Sequence, residues 1–170
     1  MPERDFIGDV VKYSFSGIIP IDDLYKALNK WTKAAGYRIM EKEHKTVASG
    51  EKSDHVLAWT LEKKATDYVR LKIDTDIKIK GMREVKTKTG KKKYHQGNVD
   101  FAFSAYLEKD YEDMYGKNPL VKFTREVFDK YVTESKMKTF EREIIKDRDK
   151  LITEIRAFLE VQKLKGEEEK

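Results

Sequence analysis

At 170 residues and 20.0 kDa the chain is one domain's worth of protein, able to bury roughly two-thirds of the surface it exposes when unfolded. Apolar and charged residues each make up 39%, with nine glycines and three prolines, which excludes collagen-like and Pro/Gly-rich low-complexity classes. The absence of cysteine removes disulfide frameworks, thiolate nucleophiles and Cys-based zinc sites, and the net charge of +5 says little until it is located along the chain.

It is located in one segment. Between Lys78 and Lys93 eight basic residues face Glu84 alone, a local charge of +7, so the rest of the chain is about −2. From Glu134 to Lys170 ten basic and ten acidic residues cancel, and this Lys- and Glu-rich balance resembles thermophile composition. No apolar stretch approaches the roughly 18 residues of a membrane span, and Met1-Pro2-Glu3-Arg4-Asp5 lacks a signal-peptide core, so the expected compartment is cytoplasmic.

Taken in chain order, Val10 to Gly17 alternates Val11, Tyr13 and Phe15 against Lys12, Ser14 and Ser16, the period of a half-buried strand. Pro20-Ile21-Asp22-Asp23 opens a helix, with Asp22 as the expected cap; Leu24, Leu28, Trp31 and Ala35 form its apolar stripe, and Gly36 suits a left-handed end. From Tyr37 to Tyr111 the period falls to two, with turn chemistry near Gly50-Ser53, Lys64-Asp67, Gly81 and Thr89-Gly90, which predicts an antiparallel meander. Leu57, Trp59 and Leu61 share one face; so do Val69, Leu71, Ile73, Ile77 and Ile79, and then Val99, Phe101, Phe103, Ala105 and Leu107. A two-residue turn at Thr89-Gly90 pairs odd with even positions and sets the last two stripes on opposite faces, so a bulge at Gly81 or Gly97, or a three-residue loop, is required.

Asn118-Pro119 starts a further helix carrying Leu120, Phe123, Val127 and Tyr131. A single helix from Asn118 to Leu164 would hold 47 residues and reach about 70 Å, longer than a compact domain of this size, so a break is expected near Thr133 to Ser135. The final helix is then Lys136 to Leu164, and residues 165–170 form a charged flexible tail after a single α+β domain over 1–164.

Strand, short helix, meander and long last helix, with Pro20-Ile21-Asp22-Asp23-Leu24-Tyr25-Lys26-Ala27-Leu28-Asn29-Lys30-Trp31 after the first strand, resemble the helix-grip fold of the START and Bet v 1-like superfamily. The resemblance implies a curved antiparallel β-sheet wrapped around the C-terminal helix, with space between them for a lipid, sterol, polyketide or other apolar molecule; some members of the superfamily bind chaperones instead.

On that frame the expected ligand-lining residues are Tyr13, Phe15, Trp59, Leu71, Ile73, Phe101 and Phe103 from the sheet and Ile155 from the helix. On a helical wheel Met137, Phe140, Ile144, Ile145, Leu151, Ile152, Ile155, Phe158 and Leu159 span an arc of roughly 140°, with Glu141, Arg148 and Gln162 near its middle. A charge buried there costs several kcal/mol, on the order of a lost ion pair, unless paired or wetted. Glu141 and Arg148 therefore either orient a ligand's carboxylate or hydroxyl, or snorkel into solvent or against another subunit. The aromatic stripe likewise lines a ligand or simply packs the core.

Lys86, Lys88, Lys91, Lys92 and Lys93 crowd the tip of the predicted hairpin, beside Tyr94 and His95. Like charges opposed in a strand pair repel, and nucleic acid, an acidic protein or anionic headgroups would relieve them; lysines at a protruding edge also keep sheets from aggregating. His44, His55 and His95 sit in different segments without a nearby acidic or cysteine partner, so neither a metal spacing nor a catalytic triad is legible, and Asp74 and Asp76 read as surface ion pairs with Lys72 and Lys78. No phosphate loop, dinucleotide fingerprint or nucleophile elbow occurs. The expectation is a noncatalytic binding protein without cofactor or metal that holds an apolar or amphipathic small molecule between sheet and last helix. The alternatives are a macromolecule-binding module using the basic hairpin, and a homo-oligomer formed through the C-terminal helices.

Overall fold

The computed structural model describes residues 3–85, 94–109 and 134–168. Seven elements follow in chain order: β1 (Glu3–Ile19), α1 (Ile21–Ala35), β2 (Arg38–Ser49), β3 (Lys52–Lys64), β4 (Val69–Val85), β5 (Tyr94–Lys109) and α2 (Glu134–Glu168). The strands form one curved antiparallel sheet in the order β1-β5-β4-β3-β2, so β2 to β5 is a meander and β1 closes onto the last strand. The fold is α+β with one short helix after the first strand, as the periodicity predicts. No helix among the described residues is long and apolar enough to cross a membrane.

The first strand is longer than its clean alternation. It begins at Glu3 because residues 3–7 pair with β5 through a second register, Glu3↔Lys109 to Ile7↔Ala105, that a bulge separates from Val11↔Phe103. Gly8 sits in that bulge at φ 70°, a left-handed conformation costly for a residue with a Cβ. Odd residues face inward on both sides of the bulge, but Glu3, Arg4 and Asp5 are charged and Phe6 is 62% exposed, so no apolar alternation marks this first segment.

Helix α1 starts two residues earlier than an Asp22 cap requires. Pro20 holds the N-cap position, its carbonyl accepts from the Leu24 N–H at 2.9 Å, and no side chain caps the helix. Asp22 and Asp23 lie inside the first turn, where they complement the helix dipole. Gly36 ends the helix at φ 85°, with N–H groups of Gly36 and Tyr37 donating to the Lys33 and Thr32 carbonyls.

The parity problem in the β4–β5 hairpin is solved within the sheet. From Val85↔Tyr94 to Arg83↔Gln96 odd residues pair with even; from Lys80↔Asn98 inward odd pairs with odd, and both apolar stripes reach the same face. Gly81, at φ 62°, carries the extra residue. Gly97 lies opposite, where an added Cβ would stand 3.2 Å from the Lys80 carbonyl oxygen and from Met82 Cα. Both glycines are used, one for its conformation and one for close approach.

Helix α2 runs from Glu134 to Glu168, past Leu164 where the tail was expected to begin. It lies directly on the concave face, meeting β1, β5, β4 and α1. Ile144, Leu151, Ile155 and Leu159 are fully buried against it, as are Leu71, Ile73, Phe101, Phe103 and Leu107 of the sheet. Each such side chain contributes on the order of 1.5–3 kcal/mol over its exposed state. Polar contacts fix the helix's orientation: Lys63 Nζ lies 2.9 Å from Glu143, and the Tyr37 hydroxyl donates to Asp147 at 2.7 Å. Burial and that bond hold the Tyr37 phenol well above its ordinary pKa.

On the other face of the sheet Glu62, Lys72 and Glu108 are buried in an ion network. Lys72 Nζ lies 2.9 Å from Glu108 and 3.8 Å from Glu62, which also meets Arg38 and Arg70. The helix expected from Asn118 and the turn at Thr89-Gly90 lie outside the described residues.

Candidate functional site

Where the first turns of α1 pass over the strands, a cavity of about 500 Å³ opens between helix and sheet. That volume lies within the roughly 300–1,000 Å³ of small-molecule sites. Its floor is apolar: Leu57 and Trp59 of β3, Ile77 and Ile79 of β4, and Val99 of β5, with Ile19 at the end of β1. Leu24 and Tyr25 of α1 form the roof.

Register explains this lining. His55↔Ile79↔Val99 and Leu57↔Ile77↔Phe101 are rows of cross-strand neighbours, so alternate residues of β3, β4 and β5 present one continuous apolar surface. Trp59 is 7% exposed and meets Tyr25 edge-on, with ring centroids 5.6 Å apart and planes at 72°. Its Nε1 has no hydrogen-bond partner among the described residues, and neither has the hydroxyl of Thr75, its register neighbour on β4.

The mouth is polar. Asp22 and Lys26 reach it from α1, Glu41 and His44 from β2, and His55 from β3. The β2–β3 hairpin pairs His44 with Leu57 and Thr46 with His55, so the two imidazoles share a face with centroids 6.3 Å apart. His44 Nδ1 lies 3.4 Å from Glu41 Oε1. Both ring nitrogens of His55 are engaged, Nδ1 with the Thr46 hydroxyl at 3.1 Å and Nε2 with the Ser53 hydroxyl at 2.9 Å. Partial burial, followed by the His44 and His95 imidazoles, lowers the pKa of His55, with Asp54 opposing. Among the described residues no group of three or more His, Asp and Glu stands ready to hold a metal ion.

The residues singled out from the sequence fall in different places. Trp59 lines the cavity. Tyr13 is half-buried on β1 and is not part of the cavity lining, its ring stacked on Phe101 at 6.0 Å and covered by the Arg156 guanidinium at 5.2 Å. Phe15 is buried in the core. Leu71, Ile73, Phe101 and Phe103 are fully buried and fill the interior, the two phenylalanine rings stacked at 5.9 Å. Ile155 lines a separate recess of about 270 Å³ between the two helices, together with Leu28, Trp31 and Phe158.

Glu141 is half-buried and stands outside the cavity wall. Arg148 is 7% exposed, and its guanidinium is occupied: Nη1 donates to the Asp9 carbonyl at 3.2 Å, and Nε and Nη2 donate to Asp149 at 3.3 and 3.1 Å. It clamps the β1 bulge to α2, the partner that a buried cation requires. Lys86, Lys88, Lys91, Lys92 and Lys93 lie outside the described residues.

The cavity thus brings together residues that the sequence reading held apart or assigned to packing. Leu57, Ile77, Ile79 and Val99 carried the right alternation, but alternation marks a buried face without marking a gap above it. The usable signal for His44 and His55 was the Gly50 turn, which folds β2 back on β3. Without the bulge between Glu41 and Glu43, however, counting from the turn misplaces Glu41. No protein-family model matches the chain, and no curated protein matches it as a relative.

Proposed function

We propose that this is a binding protein for an apolar or amphipathic small molecule, held between α1 and the concave face of the sheet. One observation carries the reading: a cavity of about 500 Å³ with an apolar floor on three strands and a polar mouth on one side. A guest placed there buries its hydrocarbon on Leu57, Ile77 and Ile79 and leaves its polar end at the mouth, gaining roughly 25 cal/mol for each Å² of apolar surface removed from water. The architecture supports the same reading, since an antiparallel sheet gripping a C-terminal helix is the arrangement expected of a helix-grip protein. The site differs in place from the sequence expectation: it lies under the short helix, whereas α2 seats on the sheet through fully buried side chains.

Nile red titration with competition by decanol tests this. The neutral dye is expected to brighten with the wild-type protein and to be displaced by decanol. Leu57→Trp, which fills the floor, is expected to abolish both effects while circular dichroism stays unchanged. No dye binding by the wild type, or equal binding by a folded Leu57→Trp variant, refutes the proposal.

A further inference from the structure

A cavity with an apolar interior selects its guest by the groups at its mouth. Here two carboxylates stand beside two aromatic rings. Glu41 is the register partner of Trp59 on the neighbouring strand, and Asp22 lies one helical turn before Tyr25 on the same side of α1. Tyr25 is 43% exposed, so its ring remains accessible beside the edge-on Trp59. The carboxylates are acceptor-only groups, and the face of an aromatic ring attracts cations.

The other polar groups at the mouth add little to oppose this. His55 is occupied on both nitrogens by Thr46 and Ser53, and one nitrogen of His44 faces Glu41. Lys26 is the only lysine or arginine among the described lining residues, set against Asp22 and Glu41. An alkyl carboxylate would bring a third negative charge to the mouth; an alkylammonium would bring the donor or cation that the surplus of acceptors lacks.

Building on the ligand-binding reading above, we infer that the guest is an amphiphile with a cationic amine or quaternary ammonium head, seated between Tyr25, Trp59, Asp22 and Glu41 with its chain on the strand floor. Lys26 tunes this preference by opposing the two carboxylates, and its removal strengthens it.

Isothermal titration with decyltrimethylammonium, decanol and decanoate, each below its micellar concentration at pH 7.5 and low salt, tests the inference. Decanol is expected to bind, the ammonium about fivefold to tenfold more tightly, and decanoate more weakly than decanol. Glu41→Gln is expected to shrink the ammonium's advantage over decanol about threefold or more, and Lys26→Gln to enlarge it. Glu41 is half-exposed on an edge strand, so its substitution leaves the core intact. Binding of decanol without a preference for the ammonium, tightest binding of decanoate, or a preference that survives Glu41→Gln overturns the cationic head and leaves the cavity reading standing. Failure of all three amphiphiles to bind overturns both.

Discussion

Thr75→Val should make this protein more stable. Thr75 is 2% exposed on the concave face of β4, between Trp59 on β3 and Phe103 on β5, and its hydroxyl has no hydrogen-bond partner among the described residues. A hydroxyl buried without a partner costs about 1–3 kcal/mol in lost hydration. Valine has nearly the same shape, keeps the branched side chain that suits a strand, and replaces the orphaned oxygen with a methyl group that belongs among the rings. The expected gain is about 1–2 kcal/mol, and for a chain of this length each kcal/mol raises the melting temperature by about 2–4 °C. Urea denaturation followed by tryptophan fluorescence reads the change as a higher midpoint at unchanged slope. Thr75→Ser, which keeps the hydroxyl and deletes the methyl, should lose about 1 kcal/mol. A Thr75→Val midpoint equal to or below the wild type's would mean that the hydroxyl is partnered in solution, and the argument from its isolation would fail.

Arg148→Met removes the guanidinium that caps the Asp9 carbonyl, and urea midpoints should show a loss of about 2–3 kcal/mol; a loss below about 0.5 kcal/mol would show that the clamp is solvated. Gly8→Ala forces a Cβ at φ 70° to within 3.3 Å of Ile145 Cδ1, and calorimetry should register about 1–2 kcal/mol of destabilisation, with no change refuting the bulge geometry. Gly97→Ala places a Cβ 3.2 Å from backbone on β4, so amide exchange in the outer half of the β4–β5 hairpin should accelerate while the inner half keeps its protection. His55 binds its proton less readily in the folded chain than its ordinary value of 6.5, so between that value and the lower folded one the unfolded chain holds more protons. Stability should accordingly fall as pH drops below about 6.5, and His55→Gln should flatten that limb of the stability curve; a variant with an unaltered limb would assign the loss to other groups.

The architecture was legible because its elements announce themselves locally. Leu71, Ile73, Ile77 and Ile79 keep a period of two broken only by Thr75, Gly36 closes α1 in the conformation glycine favours, and the parity conflict between β4 and β5 demanded a bulge that Gly81 supplies. The first seven residues of β1 were missed because Glu3, Arg4 and Asp5 are charged and Phe6 points away from the core, so no apolar alternation announces them.

The site was legible only in part. Trp59 was named for its ring and lines the cavity, but Phe101 and Phe103 carry the same signal and are packed solid, because a period reports which face is buried and never how much space is left above it. Arg148 stood out as a charge in an apolar arc that needs a partner. One partner, Asp149, is the next residue, but the other, the backbone carbonyl of Asp9, is 139 residues away and carries no side-chain signature. The mouth depends on a pairing register and an edge bulge in β2, both consequences of the assembled sheet.

The closure of β1 onto β5 sets an order on assembly. Strands β2 to β5 are sequential neighbours that can find one another over short loops, whereas Glu3 must meet Lys109, and the Asp9 carbonyl must wait for Arg148. Loop-closure entropy makes such distant pairings the slow ones. On the ribosome β1 therefore emerges well before the strand it pairs with, and Tyr13 and Phe15 stay without their neighbours Phe101 and Val99 until β5 has been synthesised.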